Sequence, residues 1–202
     1  MNYLAVDTSG KCLNIIVYKN GEYFILNDEE CGVHHSEKIM VEIEKLLEKA
    51  KMDLKSCDFI ACSVGAGSFT GIRIGVATVK ALCFAHNIPV LSITSFDTMA
   101  YNERDKKVLA VIDAGHNGFY AAGYEKGKVI YSPAYIMREQ LIELSKEYKL
   151  LSSTDIEGIE IQKVSILEGL KKAILSKSEQ KTNNLDELIP LYVRKSQAEE
   201  GR

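Results

Sequence analysis

Gly65-Ala66-Gly67-Ser68-Phe69-Thr70-Gly71-Ile72-Arg73-Ile74-Gly75 sets four glycines, two hydroxyls and one arginine between two apolar segments. Upstream, the continuous apolar run from Phe59 to Val64 reads as a strand covered on both faces. Downstream, Gly71 to His86 reads as a helix. The join is a strand-to-helix corner. Glycine there allows positive φ or a close backbone approach, and the unpaired N–H groups at a helix start form a natural anion site. The corner is therefore either a phosphate loop or a tight turn whose glycines let a helix pack closely. It lacks the Gly-Lys-Ser/Thr ending that places a lysine for a γ-phosphate, and the rest of the chain favours close packing.

Working outward, Leu4 to Asp7, Cys12 to Tyr18 and Tyr23 to Leu26 read as strands. Ser9-Gly10-Lys11 and Asn20-Gly21 separate them, the second as a two-residue hairpin connection. A helix after Ser36 collects Ile39, Ile43, Leu46, Leu47 and Ala50 on one face, with its charges largely on the others. Ile88 to Ile93 is a further strand, and Phe96 to Tyr101 begins a third helix. The polar stretch Asn102-Glu103-Arg104-Asp105-Lys106-Lys107 marks a lobe boundary, giving lobes over 1–103 and 104–202. Beyond it, Val108 to Ile112, Phe119 to Tyr124 and Val129 to Tyr131 read as strands. Helices follow over Arg138 to Tyr148 and Ile161 to Leu175. Ser176 to Asn184 is polar and reads as a mobile connector. The class is α/β, two lobes of mixed sheets flanked by helices. Asp7-Thr8-Ser9 and Asp113-Ala114-Gly115 each follow an apolar strand and precede another, the pattern of a duplicated lobe.

Bulk composition narrows the function. The 202 residues are 46% hydrophobic and 26% charged, enough for one domain or two small lobes. A net charge of −3 argues against a protein that grips nucleic acid on its own, which needs clustered Lys and Arg. The five cysteines include no Cys-x-x-Cys pair and read as reduced core thiols. The N-terminus runs into a strand without a basic leader, and no apolar run reaches membrane-span length, so a cytoplasmic protein without membrane contact is expected. No two of His34, His35, His86 and His116 are four apart, as a helical metal pair requires. No His-Glu-x-x-His motif and no nucleophile–base constellation occurs, so neither a metal site nor a catalytic residue is assigned.

The helix after the corner carries the positive expectation. Arg73 and Lys80 are its only formal charges, and a helix apolar nearly all round is buried on both faces. Gly71, Gly75 and Thr78 form one small-residue strip; Ala77, Ala81 and Ala85 form another. With the helix after Ser36 beside it, a two-helix surface completes a four-helix bundle with a partner. The interface expected from sequence comprises Ile39, Ile43, Leu46, Gly71, Arg73, Gly75, Thr78 and Lys80. Asp7, Thr8, Ser9, Ser68 and Thr70 are candidates for weak nucleotide or anion contact. In the tail, Leu188, Ile189, Leu191 and Tyr192 read as anchors that leave Arg194 and Lys195 for a partner or RNA.

Asp7-Thr8-Ser9, His35-Ser36-Glu37, the glycine corner and the tail Pro190-Leu191-Tyr192-Val193-Arg194-Lys195-Ser196-Gln197-Ala198-Glu199 together resemble the TsaB (YeaZ) family over nearly the whole chain. The resemblance implies a two-lobed fold of the actin/Hsp70/sugar-kinase (ASKHA) type. It further implies a non-catalytic scaffold or activator for N6-threonylcarbamoyladenosine formation in tRNA. The implied partners are the TsaD paralogue, which transfers threonylcarbamoyl from its adenylate, and the ATPase TsaE. A homodimer is expected in their absence, with tRNA reached only through the complex. No cofactor is firmly implied, and ATP or ADP at a shared interface is left open. Ala66 stands where the family usually has proline, Gly115-His116-Asn117-Gly118 replaces a stretch where many members carry an arginine and an acid, and the second lobe is short. The competing reading is an actin-like nucleotide hydrolase or kinase acting alone.

Overall fold

The computed structural model describes residues 1–32 and 34–194. The chain forms two compact units. Among the described residues, Met1–Ile93 with Ser176–Leu191 make the first, and Thr94–Leu175 with Tyr192 to Arg194 make the second.

In the first unit, β1 (Asn2–Asp7), β2 (Leu13–Lys19) and β3 (Glu22–Asp28) form an antiparallel meander. Its second turn is the expected two-residue hairpin: Asn20 and Gly21 have φ of 51° and 95°, and Lys19 pairs with Glu22. Helix α1 (His35–Lys49) then leads to β4 (Phe59–Ser63), α2 (Phe69–His86) and β5 (Val90–Ile93). Strands β4 and β5 add in parallel, giving the order β3-β2-β1-β4-β5. All five β4 residues are buried, as a doubly covered strand requires. One face of the sheet sends Leu4, Val6, Ile15, Val17, Ile60 and Cys62 into a core with Ile39, Ile43 and Leu46 of α1 and Ile72, Val76 and Val79 of α2.

The second unit repeats this plan. Helix α3 (Ser95–Ala100) precedes β6 (Val108–Gly115), β7 (Gly118–Glu125) and β8 (Lys128–Met137). These are again an antiparallel meander, joined by His116-Asn117 and Lys126-Gly127, all four with positive φ. Helix α4 (Arg138–Leu144), β9 (Lys149–Ser152), β10 (Gln162–Lys163) and α5 (Ile166–Lys177) follow. The order β8-β7-β6-β9-β10, with β9 and β10 parallel, matches the first sheet position for position. One element has no counterpart. Where α2 joins β4 to β5, the link from Ser153 to Ile161 contains no helix.

Several sequence expectations are corrected. The boundary expected after Glu103 falls inside the second unit, because α3 packs on β6, β7 and β9. The helix expected to reach Tyr148 stops at Leu144, and the one expected from Ile161 starts at Ile166, since Lys149–Ser152 and Gln162–Lys163 are taken up by the sheet. Strand β8 runs on to Met137 because it is an edge strand, where Pro133 sits at a register shift and breaks no ladder. Ser176 to Asn184 is not a loose connector: Thr182 exchanges both backbone hydrogen bonds with Val90, at 2.8 and 2.9 Å.

Glu103 clamps the second unit. Its carboxylate accepts from Lys106 Nζ at 2.6 Å and Gln162 Nε2 at 3.1 Å and lies 3.4 Å from Lys149 Nζ. The Lys106 hydrogen bond foremost, then that of Gln162, holds the carboxyl down at about 2. A carboxyl held below its unfolded value stabilises the fold above that value and loses the contribution as pH falls towards the folded one. Glu103→Gln is therefore expected to lower the urea midpoint at pH 7. The gap to the parent chain closes between pH of about 4.5 and about 2, and a gap independent of pH contradicts this.

Candidate functional site

The glycine corner between β4 and α2 is built against the end of β1. Gly65 and Gly67 have φ of 100° and 149°, and the Gly65–Ala66 peptide is cis. A Cβ on Gly67 would overlap the Ser9 carbonyl, so this glycine is required both by its backbone angle and by the approach. Ser68 N donates to Ser9 O at 2.7 Å. Ser68 Oγ caps α2 by accepting from Gly71 N at 3.2 Å. One turn on, Thr8 Oγ1 donates to the Gly71 carbonyl at 2.7 Å. A Cβ on Gly71 would strike the Thr8 carbonyl oxygen, and one on Gly75 would strike Thr8 Oγ1. Gly67, Gly71 and Gly75, spaced by four, thus face the same two residues of the β1 turn.

The candidate anion residues share this joint. Asp7, Thr8 and Ser9 are buried. Asp7 Oδ1 accepts from Ser9 N at 2.9 Å and Ser9 Oγ at 2.6 Å. Ser68 and Thr70 are exposed at the start of α2. In the second unit, Asp113 Oδ1 accepts from Gly115 N at 2.8 Å, so the two strand-end aspartates close the same local turn. There the hairpin of His116 and Asn117 follows at once, and Arg138 N at the start of α4 donates to the Asn117 carbonyl at 3.1 Å.

The residues expected at a partner interface divide. Ile39, Ile43 and Leu46 are buried in the core of their own unit. Gly71 and Gly75 are covered by Thr8 of the same chain. Thr78 and Lys80 are half-buried, and Arg73 is exposed with its guanidinium 3.9 Å above the Phe69 ring. The glycine strip is therefore the inward face of α2, and the alanine strip is the outward one. Phe69, Arg73, Ala77, Ala81, Phe84 and Ala85 are all exposed, Phe84 at 81%. Burial of α2 on both faces, expected from its composition, is realised within its unit on one face only. Met40 adds an exposed apolar side chain on α1.

Sequence reasoning missed Phe69 and Phe84. Their signal was present in the i, i+4 series 69, 73, 77, 81, but glycine spacing drew attention to the other face. In the tail, Leu188 is buried and Leu191 packs on the first core, whereas Ile189 and Tyr192 are exposed. Arg194 lies 4.7 Å over the Tyr135 ring, and Lys195 falls outside the described residues.

The thiols of Cys57, Cys62 and Cys83 are buried, and burial raises each one's pKa, Cys57 and Cys83 to about 12, which makes them inert packing groups. His35 is buried with Nε2 3.3 Å from the Cys12 carbonyl, and His34 lies 3.3 Å from Glu37. Among the described residues, no three His, Cys, Asp or Glu side chains converge as a metal set. No helix is long and apolar enough to cross a membrane, among the residues described.

The family model "TsaD: tRNA N6-adenosine threonylcarbamoyltransferase" matches residues 26–200. The "tRNA threonylcarbamoyladenosine biosynthesis protein TsaB" of Buchnera aphidicola subsp. Baizongia pistaciae is 30% identical, covering 74% of this chain and 74% of the relative. A "tRNA N6-adenosine threonylcarbamoyltransferase" of Anoxybacillus flavithermus is also 30% identical, but over 46% of this chain and only 32% of the enzyme. The solved structure of YeaZ from Pseudomonas aeruginosa superimposes with a TM-score of 0.75 over 95% of this chain and 99% of that one, at 21% identity. That likeness shows that the two chains share a fold.

The seat of α2 makes a stability prediction. Gly71→Ala and Gly75→Ala each gain roughly 1 kcal/mol of helix propensity but force an overlap that costs about 1–3 kcal/mol, so both lower the urea midpoint. Adding Thr8→Ala recovers part of the loss for Gly75→Ala, whose clash is with the Thr8 hydroxyl. It recovers nothing for Gly71→Ala, whose clash is with backbone. Equal rescue of both contradicts the seating.

Proposed function

The chain belongs to the TsaB (YeaZ) family, and from that membership we propose that it is the non-catalytic scaffold subunit, paralogous to the TsaD transferases, needed to make N6-threonylcarbamoyladenosine in tRNA. It pairs with a TsaD-type transferase and acts with a TsaE-type ATPase. In their absence it pairs with itself. Transfer chemistry resides in the partner, tRNA is reached through the assembly, and the location is cytoplasmic.

The observation that carries the reading is the outward face of α2. A helix whose inner face is seated on Thr8 presents Phe69, Ala77, Ala81 and Phe84 outward, all of them exposed. Single exposed apolar residues are ordinary, but a contiguous row marks a docking surface. Small alanines between two phenylalanines let a second helix approach with the rings as anchors. Arg73 and Lys80 lie along the same helix and remain part of the proposed contact. Ile39, Ile43, Leu46, Gly71 and Gly75 support it from beneath. Nucleotide enters this reading only as ATP or ADP at a surface shared with the partner, near exposed Ser68 and Thr70 at the start of α2.

Light scattering on a size-exclusion column tests it. The chain and a TsaD-type transferase are expected to form a discrete mixed complex at micromolar concentration. Phe84→Glu is expected to weaken pairing at least tenfold, about 1.4 kcal/mol, while the thermal midpoint stays near that of the parent because position 84 is exposed. A Phe84→Glu chain that pairs as tightly as the parent overturns this placement of the interface.

A further inference from the structure

After α5 the chain returns to the first unit and lies against the glycine corner. Leu185 packs on the first core, Leu188 is 1% exposed, and the turn Leu185–Glu187 lies against α2. Leu191 N then donates to the Val64 carbonyl at 2.7 Å. The Leu191 carbonyl oxygen sits 3.2 Å from where a Cβ on Gly65 would be. Val64 N is already bonded to Ile93 O at 2.8 Å, so the last residue before the corner is held on both sides, by β5 and by Leu191. A corner with two glycines at positive φ has high conformational entropy when unfolded and few side chains of its own to fix it.

We propose that Leu188–Leu191 is a positioning strap that fixes the corner and thereby the start of α2, so that the outward face of this helix is set from the C-terminal end of the chain. The strap acts through the Leu191 backbone N–H rather than through bulk packing alone. Its effect on pairing rests on the docking reading above, whereas its effect on the corner does not.

Hydrogen exchange on the full-length chain tests the strap with two variants. Leu191→Pro removes the donor, and Leu191→Ala keeps it while trimming the side chain. Amides from 65 to 72 are expected to exchange at least tenfold faster in Leu191→Pro and near the parent rate in Leu191→Ala, with β1 and β2 protected in both. Equal acceleration in the two variants, no acceleration in either, or loss of β1 and β2 protection in Leu191→Pro overturns the strap. Pairing with the transferase is expected to weaken in Leu191→Pro and not in Leu191→Ala. A loosened corner with undiminished pairing supports the strap and counts against the docking face instead.

Discussion

The hydrogen bond from Thr8 Oγ1 to the Gly71 carbonyl, at 2.7 Å, together with the missing side chains at Gly71 and Gly75, brings α2 down onto the end of β1. Everything distinctive about the first unit depends on that seat. It buries Ile72, Val76 and Val79 against the sheet and turns residues 73, 77, 81 and 84 outward. It also occupies the turn Asp7-Thr8-Ser9. The hydroxyls of Thr8 and Ser9 are bonded to the helix and to Asp7.

Duplication makes the contrast internal to the molecule. Two sheets of matching strand order carry the same aspartate turn, Asp7 onto Ser9 and Asp113 onto Gly115. Only the first unit has a helix between its fourth and fifth strands. The second unit closes its aspartate turn with the tight hairpin of His116 and Asn117 and has an irregular link from Ser153 to Ile161. The docking face proposed above lies on α2 and so belongs to the first unit.

Much of this was legible in the sequence. Short apolar runs and the turn signals between them, Asn20-Gly21 above all, gave the first meander, and the unbroken run through β4 gave its burial. The class of fold and the importance of the glycine corner followed from residue types alone. What sequence left open was which way the glycines face. A strip of small residues at helical spacing fits a strand end of the same chain as well as it fits a partner helix, and only coordinates distinguish Thr8 from an outside neighbour. The short β9 and β10 escaped because Lys149–Ser152 and Gln162–Lys163 are too brief for periodicity and owe their conformation to parallel pairing. The return of Leu188 and Leu191 to the first core is a tertiary contact with no local signature.

The central claim is that this chain is required for tRNA modification while contributing a surface rather than a reactive group. Reconstitution by omission tests it most directly. A TsaD-type transferase, a TsaE-type ATPase, ATP, threonylcarbamoyl-adenylate and tRNA are combined with and without the chain, and N6-threonylcarbamoyladenosine is measured in the recovered tRNA. The account predicts multiple-turnover modification only when the chain is present. Equal modification without it contradicts the account.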